Sequence, residues 1–136
     1  MTLRFKVDKL IRDKLPAMME AQGLTVFTRR LDDAEFIARL KDKLVEEAAE
    51  ARAAGGRAEL IDELADLREV MLALAGAADI ADAEIEVRRL AKRAERGGFD
   101  DRVHNAAVEG EADSVGVGYY LARPGQYPRE SKQEPS

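Results

Sequence analysis

Four carboxylates, Glu47, Glu50, Glu63 and Asp66, stand where a plain solvent-facing helix would not put them. At roughly 100° per residue around a helix, Glu47 falls between Leu40, Leu44 and Ala51, inside an apolar stripe, and Glu50 lies at its edge. Glu63 falls beside Leu60, Leu67 and Val70, with Asp66 just beyond that side. Each helix so read carries an acidic pair at i and i+3, whose Cβ atoms lie ~5–6 Å apart on one face. Facing each other near a core, these groups would repel and lose hydration, so a compensating positive charge is required. Oxygen ligands on rigid helices, with no His or Cys among them, suit Mg²⁺ or Mn²⁺ better than Zn²⁺. The plainer alternative is a solvated acidic face, the usual state of an isolated EEAAE run; the burial phase and the second pair weigh against it. A di-iron bundle site would need Glu-x-x-His motifs, whereas the single histidine, His104, lies outside the helical segments.

The elements that must position these acids follow from periodicity and punctuation. Asp32 and Glu35 have capping-box spacing and open a run that stops at Gly55 and Gly56. Within it Phe36, Ile37, Leu40, Leu44, Ala48 and Ala51 recur at the helical period. A second helix is expected from about Arg57 to Ala75, with Leu60, Leu64, Leu67, Met71 and Leu74 in register. Joined by a Gly-Gly turn, the two should form an antiparallel hairpin. A third helix is expected from about Ala81 to Arg96, ended by Gly97-Gly98. Upstream, Asp13 could cap a short helix with Pro16 in its first turn and Gly23 at its end. Leu24 to Leu31 is one short strand or extended loop, and Val115 to Leu121 at most another short strand. The segment from Pro124 to Ser136 reads as a flexible tail after a single domain over residues 1–123.

Composition narrows the function classes. The 136 residues fit one domain, and 46% hydrophobic content with only 5% aromatics favours helices packed on helices. There is no cysteine, which excludes disulfides, thiolate metal sites and cysteine nucleophiles. No apolar signal core occupies Met1 to Asp8 and no stretch reaches the ~20 apolar residues of a bilayer span, so a cytoplasmic location without membrane contact is the expectation. A net charge of -5 disfavours extended nucleic acid and requires any polyanionic ligand to be met by metal or by local cations.

The chemistry-bearing residues also carry a resemblance. Glu46-Glu47-x-x-Glu50 followed by Glu63-x-x-Asp66 resembles the EExxE and ExxD pair of the MazG-like all-α nucleoside triphosphate pyrophosphohydrolases. IRDKLP near the start and ERGGF near Phe99 are similar to a small subgroup related to phosphoribosyl-ATP pyrophosphohydrolase, so the likeness runs from about Leu10 to Phe99. The resemblance implies Mg²⁺-dependent cleavage between the α and β phosphates, giving the monophosphate and pyrophosphate. It places the metal on Glu47, Glu50, Glu63 and Asp66, and makes Glu46 similar to the position that orients or deprotonates the attacking water. Lys43 and the Lys92/Arg96 pair match cationic positions that contact phosphates, although the last two also fit a solvated helix face. Some relatives carry a further lysine where this chain has Glu59, which leaves substrate contacts on that side open.

Lys9, Arg12 and Lys14 form a second cationic group, suited either to a triphosphate or to salt bridges with the acidic helices. The combined expectation is a mostly α enzyme whose helix hairpin and third helix are completed into a four-helix bundle by a homodimer or homotetramer. Its substrate would be a nucleoside triphosphate, non-standard nucleotides included. The rivals are phosphoribosyl-ATP hydrolysis in histidine synthesis and a non-catalytic helical oligomerisation module.

Overall fold

A computed structural model describes residues 1–131 of the chain. Its regular secondary structure is all helical: α1 (Leu15–Ala21), α2 (Asp33–Ala53), α3 (Arg57–Ala77), α4 (Asp82–Arg96) and α5 (Val115–Leu121), with no strand among the described residues. The chain divides into two compact units, Met1–Arg96 and Gly97–Ser136.

In the first unit α2 and α3 pack on each other as the expected hairpin. Asp32 opens α2 by accepting the Glu35 N–H at 2.8 Å, one of the orphan donors of a helix start. Glu59 does related work for α3, accepting the Gly55 N–H at 2.8 Å across the turn. Glu84 accepts the Ala81 N–H at 2.8 Å at the entry to α4. Gly97 follows α4 with φ +82°, the left-handed region in which glycine avoids the Cβ clash, and Gly23 does so after α1 with φ +90°.

The hairpin seam is narrower than the sequence periodicity suggests, and on α3 it is rotated. On α2 the stripe sits around buried Leu40, with Phe36, Ile37, Leu44 and Ala51 half-buried, while Ala48, expected in it, is exposed. On α3 Val70 and Ala75 are buried, and Glu63, Asp66, Leu67, Ala73, Leu74 and Ala77 are half-buried. Leu60, Leu64 and Met71, read as part of that stripe, lie with Ile61 and Leu72 on an exposed face, Leu64 at 50%. α3 therefore carries two apolar faces, and periodicity alone cannot tell which of them the hairpin covers.

Two local expectations are corrected and one open alternative is decided. Asp13 does not cap α1: Lys14 occupies that position with no side-chain cap, and the helix has Pro at its first turn, where a missing N–H needs no acceptor. Leu24 to Leu31 forms no strand, which leaves the loop of the two alternatives, and Arg4 lies 4.6 Å from the Phe27 ring centroid. Val115 to Leu121 is α5, not a strand. Ser114 caps it by accepting the Val117 N–H at 3.3 Å, and Tyr119, Tyr120 and Tyr127 cluster on one side. Consecutive tyrosines in a strand would point to opposite faces, so the ring cluster requires the helix. The turn from Arg123 to Tyr127 folds onto α5, with the Tyr120 and Tyr127 centroids 4.8 Å apart. The remainder of the expected tail, residues 132–136, lies outside the described residues.

Candidate metal centre

The site grows from the seam. Because Glu47 continues the stripe of Leu40 and Leu44 by one turn, it is drawn in with them and only 6% of it is exposed. Glu63 occupies the corresponding place on α3 and is half-buried, while Glu50 comes one turn after Glu46 at the exposed rim. Carboxylate oxygens of Glu47, Glu50 and Glu63 all lie within 4.8 Å of one another. One oxygen of Glu47 and one of Glu63, Oε2 in each, is buried without a hydrogen-bond partner. Orphaned anionic oxygens in a low-dielectric seam are costly.

The protonation equilibria register that cost. Burial pushes the Glu47 carboxyl above its ordinary value, the neighbouring Glu50 carboxylate adds to the shift, and the Lys43 charge opposes it. Glu63 is raised in the same way, first by desolvation and then by Glu50, Asp66 and Glu59. Glu46 goes the other way. Burial alone would raise it, but hydrogen bonds and charge from Lys9 and Lys43 together outweigh that and hold it below the usual carboxylate value.

The cations expected near the site are distributed unequally. Lys43 is half-buried, 3.4 Å from Glu46 and 3.7 Å from Glu47. Lys9 reaches Glu46 at 3.1 Å and Arg12 donates to Asp66 Oδ1 at 2.7 Å. Asp66 therefore stands outside the trio, although close enough for its charge to act on Glu47 and Glu63. Lys14 makes no side-chain ion pair among the described residues, and the same holds for Lys92 and Arg96 on exposed α4, which is not brought against the carboxylates.

Two residues of this constellation escaped the sequence: Asp8 and Arg39, paired at 2.9 Å. Arg39 lies one turn before Lys43 on the same face of α2, and that register is the signal that would have placed it. Asp8 has φ +47°, a left-handed bend that aspartate tolerates better than most residues. Glu59, where a further lysine stands in some members of the resembled family, is occupied as the helix-start acceptor of Gly55.

A hard divalent cation fits this donor set, since all three converging groups offer oxygen and two retain an unpartnered lone-pair-bearing atom. No protein-family model matches the chain. A stretch of 49 residues, 36% of this chain, is 47% identical to an uncharacterized protein of Mycolicibacterium smegmatis (strain ATCC 700084 / mc(2)155). That match covers 50% of the relative, so the chain spans about half the length of the curated relative it matches. No solved structure matches the chain.

Proposed function

We propose that this protein is a Mg²⁺-dependent nucleoside triphosphate pyrophosphohydrolase that cleaves between the α and β phosphates. The observation that carries this reading is the convergence of Glu47, Glu50 and Glu63 with two buried oxygens left unpartnered. The acidic motif's likeness to MazG-like enzymes supplies the substrate class. Glu47, Glu50 and Glu63 would hold the cation, with Asp66 the fourth ligand once its carboxylate is free. The chemistry such an ion supplies when bound is charge neutralisation on the phosphate chain and acidification of water.

The remaining roles belong to the chain's own side chains. Glu46, kept ionised by two lysines, is a weak base and a good hydrogen-bond acceptor, which suits it to orient a water more than to deprotonate it. Lys43 stands between Glu46 and Glu47, where an ammonium would balance negative charge developing on phosphate oxygens. Lys92 and Arg96, on a helix not brought against the carboxylates of its own chain, and Lys14 make no side-chain ion pair among the described residues and would be left to the phosphates of a substrate reaching beyond the cluster, with Arg12 able to join them on leaving Asp66.

The exposed Leu60, Ile61, Leu64, Met71 and Leu72 face of α3 supports assembly of two hairpins into a four-helix bundle, as a homodimer or homotetramer. No helix among the described residues is long and apolar enough to cross a membrane. A panel of nucleoside triphosphates and phosphoribosyl-ATP, with monophosphate and pyrophosphate quantified at millimolar Mg²⁺, tests the reading. Equimolar release of both products is expected from a triphosphate. Turnover of phosphoribosyl-ATP alone would move the protein to histidine synthesis, and absence of any turnover would leave a helical oligomerisation module.

A further inference from the structure

Residues 8–12 have no regular secondary structure, yet they tie together both helices of the carboxylate site. Asp8 holds Arg39 and Lys9 holds Glu46, both on α2, while Arg12 holds Asp66 on α3. Leu10 and Ile11 between these contacts are half-buried, so the segment is seated by apolar side chains as well as by charge. Its cations fall on the two acids of the motif outside the close trio: Glu46 and Asp66 are paired, whereas Glu47 and Glu63 keep unpartnered oxygens.

We infer that this segment is an internal counter-ion strap, in which Arg12 occupies Asp66 until a divalent cation in the Glu47–Glu50–Glu63 cluster takes that carboxylate over. The inference rests on the proposed cation site and adds a competition to it. The Arg12–Asp66 bond is partly exposed, with side chains 58% and 39% accessible. Exposed pairs are worth little net, so a carboxylate held this way is restrained but released readily. Lys9 need not move with Arg12, because Glu46 is not among the cluster's converging groups. The strap then stays anchored at Lys9 and Asp8 while the Arg12 guanidinium turns away from Asp66.

The test is Mg²⁺ titration of the full-length protein without nucleotide, by calorimetry and by the Arg12 Nε–Hε resonance, which is identified by its absence in Arg12→Gln. Parent, Arg12→Gln and Glu47→Gln are compared, with circular dichroism confirming that all three fold. Arg12→Gln is expected to bind Mg²⁺ about two- to fivefold more tightly, the range an exposed ion pair supports. In the parent the Arg12 resonance should shift on saturation; in Glu47→Gln, Mg²⁺ binding and that shift should both be lost. If the parent binds Mg²⁺ and Glu47→Gln does not, but Arg12→Gln shows unchanged affinity and the resonance stays fixed, the strap is wrong and the cation site stands. If the parent takes up no Mg²⁺ at millimolar concentration, the site and the strap fall together.

Discussion

Glu47 on α2 and Glu63 on α3 each turn an oxygen, Oε2 in both, into the hairpin seam where no donor meets it. Both carboxyls are raised from their ordinary values by desolvation first and by Glu50 second. Without a cation this pair is a source of instability, and under the proposed function the same geometry would hold one.

Replacing either acid by its amide separates those two effects. Glu47→Gln should raise the melting temperature of the metal-free protein by a few degrees, on the order of 1 kcal/mol, because a buried charge with an unsatisfied oxygen is removed. The same change should lower turnover on the order of 100-fold or more at limiting Mg²⁺. Scanning calorimetry and product release are measured on one preparation. Near-normal turnover in both Glu47→Gln and Glu63→Gln would remove these residues from the site.

The pH dependence follows in sign from the raised carboxyls. The folded protein holds protons on Glu47 and Glu63 above the pH at which the unfolded chain, with ordinary values near 4.5, has lost them. Metal-free stability should therefore fall as pH rises from the ordinary glutamate range through the raised folded values. Glu46 contributes oppositely: its lowered carboxyl gives stability that is present above the unfolded value and lost as pH falls through the folded one. Millimolar Mg²⁺ should flatten the decline at higher pH, and its binding should release protons, seen as a buffer-dependent heat in calorimetry. A decline unaffected by Mg²⁺ would count against cation binding at these two groups.

Leu64 lies on the exposed apolar face of α3, with Ile61 and Met71 on the same side. Sedimentation should show a dimer or tetramer at micromolar concentration, and Leu64→Glu should shift it toward monomer by placing a charge in the interface. A compact, active monomer of the parent chain would defeat the proposed bundle.

Lys92→Met with Arg96→Gln keeps helix propensity and most of the side-chain bulk. If these groups grip the triphosphate, KM should rise and kcat fall about tenfold or more, with Mg²⁺ affinity in the absence of substrate unchanged. Added salt should weaken substrate binding more in the parent than in the double variant. Identical kinetics across an ionic-strength series would return both residues to an ordinary solvated face and direct attention to Lys43.

The hairpin and the convergence of Glu47, Glu50 and Glu63 were legible because both obey short-range rules. Asp32 and Glu35 announce the start of α2, Gly55 and Gly56 its end, and helical phase places Glu47 among leucines. The register of α3 was less legible, since Leu60, Leu64 and Met71 compete with Leu67, Val70 and Leu74 for the seam and both sets have helical spacing. Asp66 was expected among the ligands and is held by Arg12, a contact between residues 54 apart that no local pattern encodes. α5 was hidden for a related reason: Ser114 signals a helix start, but the side chain that completes the ring cluster, Tyr127, comes after the helix has ended.

The tight Gly55-Gly56 turn has a kinetic consequence. Glu47, Glu50 and Glu63 meet when one short loop closes, whereas Lys9 and Arg12 reach their partners across 37 and 54 residues. Local contacts need less loop-closure entropy and form first. On this order of events the nascent hairpin carries its full complement of negative charge before the N-terminal arm docks. If the cluster takes a divalent ion as proposed, such ions present during refolding would then speed the hairpin step itself, a rate effect separate from any stabilisation of the finished protein.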